Sequence, residues 1–283
     1  MPEMTKTDEG VIFYDVRGPV GGPSIVFIEG RSAHLLGWRD GFCQAFIDAG
    51  FQVVRLDNRD AGLSQHYPGQ AYGLRDMAGD VHELIQHLGI APAHVVGQSM
   101  GGMVAQHLVV RHPDDVASLT LLYSAASARH FAASDGGVDA LHRCPRASTR
   151  DEAISIHLQR AQLGASQRYS FDEAWKRELG GLMWDRCYDP DGVIRQSRAL
   201  ASDPVDLDAL AKVSVPSLVM HGCVDKVIRH TGSVELSQVI PDSELWLIEG
   251  LGHDLPMELW PDITGRILAN IDRVRGSGET RSV

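Results

Sequence analysis

The sequence predicts an α/β fold: a mostly parallel, doubly wound sheet with a helical cap inserted after its sixth strand. Three observations carry this. Short runs of consecutive apolar residues recur, as strands buried on both faces require. Amphipathic stretches of helical period alternate with them, which calls for crossover helices on both sheet faces. The alternation then lapses between about residues 125 and 210, where no convincing buried strand is found, and resumes afterwards.

The elements follow in order. Val11–Val16 is strand-like and is followed by turn signals at Gly18-Pro19 and Gly21-Gly22-Pro23. Ser24–Ile28 reads as a core strand ending at Glu29-Gly30-Arg31-Ser32, and a helix over about Trp38–Ala49 is closed by Gly50. Phe51–Leu56 is a second buried strand, running into Asp57-Asn58-Arg59-Asp60-Ala61-Gly62-Leu63-Ser64, a loop rich in turn formers. A helix over 73–89 places Leu74, Met77, Val81, Leu84, Ile85 and Leu88 on one face. His94-Val95-Val96 and Val116–Tyr123 are further strands, with a helix between them. Helices are expected at about Asp151–Leu163, Phe171–Met183 and Asp191–Ala201. Strands return at Val215–Gly222 and Ser243–Ile248, separated by a helix over about Gly232–Val239, and a last helix spans about Pro261–Val274. The expected organisation is a core of 1–124 and 211–274, a helical cap of 125–210 acting as a lid, and a disordered tail of 275–283.

Composition narrows the function. The 283 residues are 43% hydrophobic and carry a net charge of −11, with no long basic run, so nucleic acid and anionic membranes are not expected partners. No apolar run reaches the ~18 residues of a membrane span, and Met1–Lys6 lacks a secretory apolar stretch, so a cytoplasmic protein is expected. The four cysteines are scattered without zinc spacing and read as buried or idle thiols. His82-Glu83-Leu84-Ile85-Gln86-His87 has one residue too many for the H-E-x-x-H zinc pattern, because a spacing of five turns the imidazoles apart. No metal and no cofactor are expected. Oligomeric state is not legible beyond monomer or homodimer.

Gly97-Gln98-Ser99-Met100-Gly101 reads G-x-S-x-G, with strand before and helix after. On so sharp a turn the serine hydroxyl is exposed, and the helix N-terminus aims N–H groups and a positive dipole end at it. A serine hydroxyl needs a base, and the base needs an orienting acid. His253 follows the last strand in a Gly-flanked turn, and Asp225 follows the strand before it. Ser99, Asp225 and His253 are therefore the catalytic candidates. Asp203 or Asp206 would substitute if Asp225 only shapes a turn, and His221 is read as a packed, hydrogen-bonded residue. The oxyanion donors are expected from the N–H groups of Met100 and Arg31, with Gly30 permitting close approach. Trp175, Met183, Trp184 and Tyr188 are expected to form an apolar substrate-binding wall on the cap. Asp57 and Asp60 with Arg59 are expected to pin their own loop.

The set Ser99, Asp225, His253, in that order, resembles the α/β-hydrolase superfamily over about residues 10–272. Within it, the loop 57–64, the elbow Val95–Gly101 and the spacing from Gly30 to Gly37-Trp38 resemble the aclacinomycin methylesterase group. That resemblance implies a serine carboxylic ester hydrolase working through an acyl-enzyme, with a bulky polyketide or macrolide ester or lactone as its small-molecule substrate. Carbon–carbon bond hydrolysis, cofactor-free perhydrolysis and a non-catalytic receptor on the same fold are the alternatives. One departure stands out: relatives carry His-Gly or Met-Gly where this chain has Glu29-Gly30. Glu29 is expected to pair with Arg31 or Arg59 or to order the loop, and, in a bolder form, to meet a cationic group of the substrate.

Overall fold

A computed structural model describes residues 2–7, 10–131 and 144–279. Among the described residues, eight strands form one sheet in the order β1-β2-β4-β3-β5-β6-β7-β8. They are β1 (Pro2–Thr7), β2 (Gly10–Arg17), β3 (Ser24–Ile28), β4 (Gln52–Leu56), β5 (Ala93–Gln98), β6 (Val116–Leu122), β7 (Ser217–Gly222) and β8 (Glu244–Ile248). β1 and β2 run antiparallel to their neighbours, and the other strands are parallel, with Val26 opposite both Val54 and Val95. All five residues of β3 are buried, as its unbroken apolar run demands.

The helices are α1 (Asp40–Asp48), α2 (Leu74–Leu88), α3 (Met100–Arg111), α4 (Arg150–Leu163), α5 (Glu173–Arg186), α6 (Pro190–Ser202), α7 (Leu207–Leu210), α8 (Thr231–Val239) and α9 (Trp260–Glu279). One apolar layer joins the sheet to α2 and α3, with Leu84, Met103, Leu108 and Leu236 buried in it. The other joins it to α1 and α9, where Phe27, Trp38, Phe42 and Phe46 form an aromatic cluster. Both faces are thus covered. α4–α6 intervene between β6 and β7, as the broken rhythm of the sequence indicates. No helix among the described residues is long and apolar enough to cross a membrane.

Two ends differ from expectation. β1 lies at the sheet edge, paired on one side only; its polar composition hides it from a search for buried runs. The last helix continues through Glu279, into the stretch 275–283 expected to be a disordered tail. No proline interrupts it there, and extending an existing helix needs no new nucleus. Residues 280–283 of that expectation lie outside the described residues.

Candidate active site

β5 delivers Ser99 to the carboxyl edge of the sheet. Ser99 has φ 54° and ψ −120°, a backbone conformation that L-residues rarely hold. The strand-to-helix turn is tight enough to explain both flanking glycines. A Cβ on Gly97 would stand 2.3 Å from the Gly101 carbonyl oxygen, and one on Gly101 would stand 2.2 Å from that of Ile28. Hydrogen bonds from Ser99 N–H to the Leu122 carbonyl, and from the Ser124 side-chain hydroxyl to the Ser99 carbonyl, tie the turn to the end of β6.

Asp225 and His253 arrive from the ends of β7 and β8. His253 Nε2 lies 2.9 Å from Ser99 Oγ, and Nδ1 lies 2.6 Å from Asp225 Oδ2. Asp225 Oδ1 accepts the Val227 and Ile228 N–H groups at 2.7 and 2.9 Å. Its side chain is fully buried. Burial works against its charge, but His253 and His221 outweigh that and hold its carboxyl well below the usual carboxylate range. His221 Nε2 sits 3.1 Å from Asp225 Oδ2 and 3.0 Å from the Ile228 carbonyl. A nitrogen facing two acceptors carries the proton, so His221 donates to the carboxylate from behind. The Tyr123 ring packs on the His253 imidazole at 4.7 Å. Asp203 and Asp206 take no part: Asp203 pairs with Arg75, and Asp206 caps α7.

The deciding comparison covers most of the chain. The sequence profile of the family described as alpha/beta hydrolase fold matches residues 23–258. The chain belongs to that family. Rhodomycin D methylesterase DauP of Streptomyces sp. (strain C5) is 25% identical to this α/β hydrolase, over 94% of this chain and 97% of its own. The bifunctional esterase/perhydrolase DCH of Acinetobacter calcoaceticus is 28% identical over 94% and 98%. The solved esterase EaEST of Exiguobacterium antarcticum shares the fold with a TM-score of 0.75, at 22% identity over 97% of this chain and all of its own. The named relatives support hydrolase chemistry and a likeness to the methylesterases.

In this α/β hydrolase a cavity of about 810 Å³ opens over Ser99 and His253, between the loop Gly30–Ala33 and the inserted helices. Gly30 packs close: a Cβ there would meet that of Ser99 at 3.3 Å. Arg31 lines the same cavity, its guanidinium bonded to Ser197 of α6, while Met100 opens α3 directly after Ser99. Of the four expected cap residues, Trp175 lines this cavity. Met183, Trp184 and Tyr188 instead line an adjoining one of about 270 Å³, where the tilted rings of Trp184 and Tyr188 pack with centroids 4.6 Å apart. The physical reason is length: eight residues along α5 carry a side chain about 12 Å from Trp175.

Glu29 is 1% exposed, and its Oε2 accepts the Gly30 N–H and the Gln98 amide. Burial pushes its carboxyl up to about 7 against those two hydrogen bonds. Neither expected cation meets it. Arg59 is held by Asp80, and Arg31 reaches Ser197. Glu29 therefore orders the loop at Gly30 and does not point at an arginine. In the 57–64 loop Asp57 does pin the turn, its Oδ2 accepting the Leu63 N–H at 3.0 Å, but no salt bridge forms within the loop. Asp57 pairs with Arg186 of α5 and Asp60 with Arg195 of α6, so the loop is a clasp between the sheet and the inserted helices. The signal available in the sequence was the arginines on those helices, without a means to aim them.

Among the described residues two clusters have the composition of metal ligands, His82/His112/Asp115 and Asp60/His66/Asp189. In the second, Arg195 already occupies both carboxylates, and in the first the two imidazoles stack face to face at 3.8 Å. The four cysteines are free.

Proposed function

We propose that this chain is a serine carboxylic ester hydrolase that works through an acyl-enzyme. The observation that carries the reading is the continuous hydrogen-bonded line from Ser99 Oγ through His253 to Asp225, at the floor of a large cavity. Ser99 Oγ attacks the ester carbonyl as its proton passes to His253 Nε2. The imidazolium is balanced by Asp225, which His221 and two backbone N–H groups keep ionised and fixed. The oxyanion is held by the N–H groups of Met100 and Arg31. The alcohol leaves with the proton from His253. Water then gives a proton to His253 as it attacks the acyl-serine, and His253 returns that proton to Ser99 Oγ as the acid leaves.

The helices 150–202 form the lid of this proposal, excluding water and shaping the pocket. The cavity volume accommodates a bulky ester, and the likeness to a rhodomycin D methylesterase favours a polyketide or macrolide ester or lactone. A second reading draws on the esterase/perhydrolase relative: hydrogen peroxide in place of water would take the acyl group from the same Ser99 ester.

The test is pre-steady-state. With p-nitrophenyl butyrate, a burst of p-nitrophenol equal to the enzyme concentration is expected, followed by slower turnover. Ser99→Ala removes both. Turnover that survives Ser99→Ala would sink the acyl-enzyme.

A further inference from the structure

The cavity has a polar end that the ester chemistry does not use. His157 and Arg160 of α4 and Lys176 of α5 all line it, and all three also line the adjoining cavity, so they stand where the two meet. The helix register brings them together. A Cβ on Gly180 would touch His157 at 3.2 Å, and one on Gly181 would touch Arg150, so α4 and α5 run antiparallel. Lys176 lies one turn before Gly180, and Arg160 lies nearly one turn after His157. Both cations act on His157, which places them on the same stretch of wall.

Among the described residues, neither cation has a carboxylate oxygen within 4 Å, although Asp254, Glu29 and Asp172 attract Lys176 from farther off. Arginines on the same helices are paired: Arg150 with Asp185, Arg177 with Glu173 and Arg186 with Asp57. The Lys176 ammonium makes no hydrogen bond or ion pair within 4 Å among the described residues. Arg160 meets only the Cys144 thiol there, at 3.4 Å. His157 Nε2 is buried without a partner. Four charged groups act on Lys176 from a distance. Asp254 is engaged by Ser166, Glu29 by Gly30 and Gln98, and Asp172 by Arg39, which is the fourth. Burial lowers the Lys176 pKa, and burial with the nearby Lys176 and Arg160 charges takes His157 down to about 4, so the imidazole is neutral at pH 7. Two half-buried cations and an unbonded imidazole on a cavity wall cost folding energy that a bound anion would recover.

We propose that this end of the cavity is a carboxylate subsite: a substrate acid group, remote from the scissile ester, seats between the Lys176 ammonium and the Arg160 guanidinium, with His157 Nε2–H as a third donor. Arg160 offers a planar fork to the two oxygens and Lys176 a point charge. The substrate class is then an acidic ester, carrying a free carboxylate at a distance from the bond that is cut. This deepens, and rests on, the ester-hydrolase reading, and its binding arm can be judged without it.

The experiment compares monomethyl dicarboxylates, adipate to sebacate, with the matched dimethyl esters. For at least one chain length, kcat/KM per ester group is expected to favour the acid by tenfold or more. Lys176→Met and, as a second variant, Arg160→Met should each remove that preference while leaving the dimethyl ester within about twofold. Lys176→Arg should keep it. The same pairs are titrated calorimetrically into Ser99→Ala protein, with and without Lys176→Met. Tighter binding of the acid that Lys176→Met abolishes supports the subsite even where no ester turns over, and in that case only the hydrolase reading fails. Equal or better use and binding of the dimethyl esters across the series, unchanged by Lys176→Met and Arg160→Met, overturns it.

Discussion

Gln98, the residue before the candidate nucleophile, donates its amide to the buried carboxyl of Glu29 and accepts the Tyr123 hydroxyl on its other end. Tyr123 in turn packs on His253. A titratable group two side chains from the imidazole is therefore built into the floor of the cavity, and it yields the first prediction. The folded chain raises the Glu29 carboxyl from its ordinary 4.5 to about 7, so between those values the folded state holds a proton that the unfolded chain has released. The contribution of Glu29 to stability consequently falls as pH rises from about 4.5 to 7 and is level above that. Glu29→Gln keeps an acceptor for Gly30 and Gln98 but cannot ionise. The variant should match wild type near pH 4.5 and exceed it at pH 8, by on the order of 3 kcal/mol at most. Urea melts at the two pH values measure this, and a difference independent of pH would contradict it.

Arg186 and Asp57 join α5 to the sheet at 2.8 Å. The Asp57 side chain has no solvent exposure and also accepts the Leu35 and Leu63 N–H groups. Arg186→Met leaves a buried carboxylate short of its cation, which costs about 3 kcal/mol. Denaturation of Arg186→Met, Asp57→Asn and the double variant at one pH should show strong coupling. Additive effects would mean the pair does not clasp the insertion.

Gly101 has the Ile28 carbonyl oxygen where a Cβ would be. Gly101→Ala must push β3 and the start of α3 apart, a backbone clash beyond the about 1–3 kcal/mol of ordinary overpacking. The thermal midpoint should drop and esterase activity should disappear with it. A variant of wild-type midpoint would show that the turn is looser than its geometry states.

Asp225 serves two imidazoles. Asp225→Asn removes the charge that balances His253 and offers an amide where both histidines need an acceptor. The acylation rate should fall by about 10³–10⁴-fold, with the thermal midpoint reporting separately on folding. A loss under tenfold would leave Asp225 a structural residue.

The fold was legible where physics is local. The runs of β3 and β4 announce burial on both faces, and Gly89, at φ 63°, ends α2 as a helix-closing glycine should. β1 was not legible, because an edge strand of Pro2–Thr7 carries no buried-run signal. At the site, the elbow motif and chain order single out Ser99, Asp225 and His253, and the structure draws these three into one hydrogen-bonded line. The environment of Glu29 and the partners of Asp57 and Asp60 were not legible, since each depends on a residue brought in by tertiary packing. The facing of α5 was not legible either. Its apolar residues are spread around the helix, because it touches α4 on one side and two cavities on others.

Covalent labelling tests the central claim most directly. The folded protein is treated with a fluorophosphonate, weighed intact, and mapped by peptide mass spectrometry. One phosphonyl group per chain on Ser99 is expected, with none on Ser99→Ala and slow labelling of Asp225→Asn. An unlabelled wild-type protein, or a label on a different serine, would contradict the account.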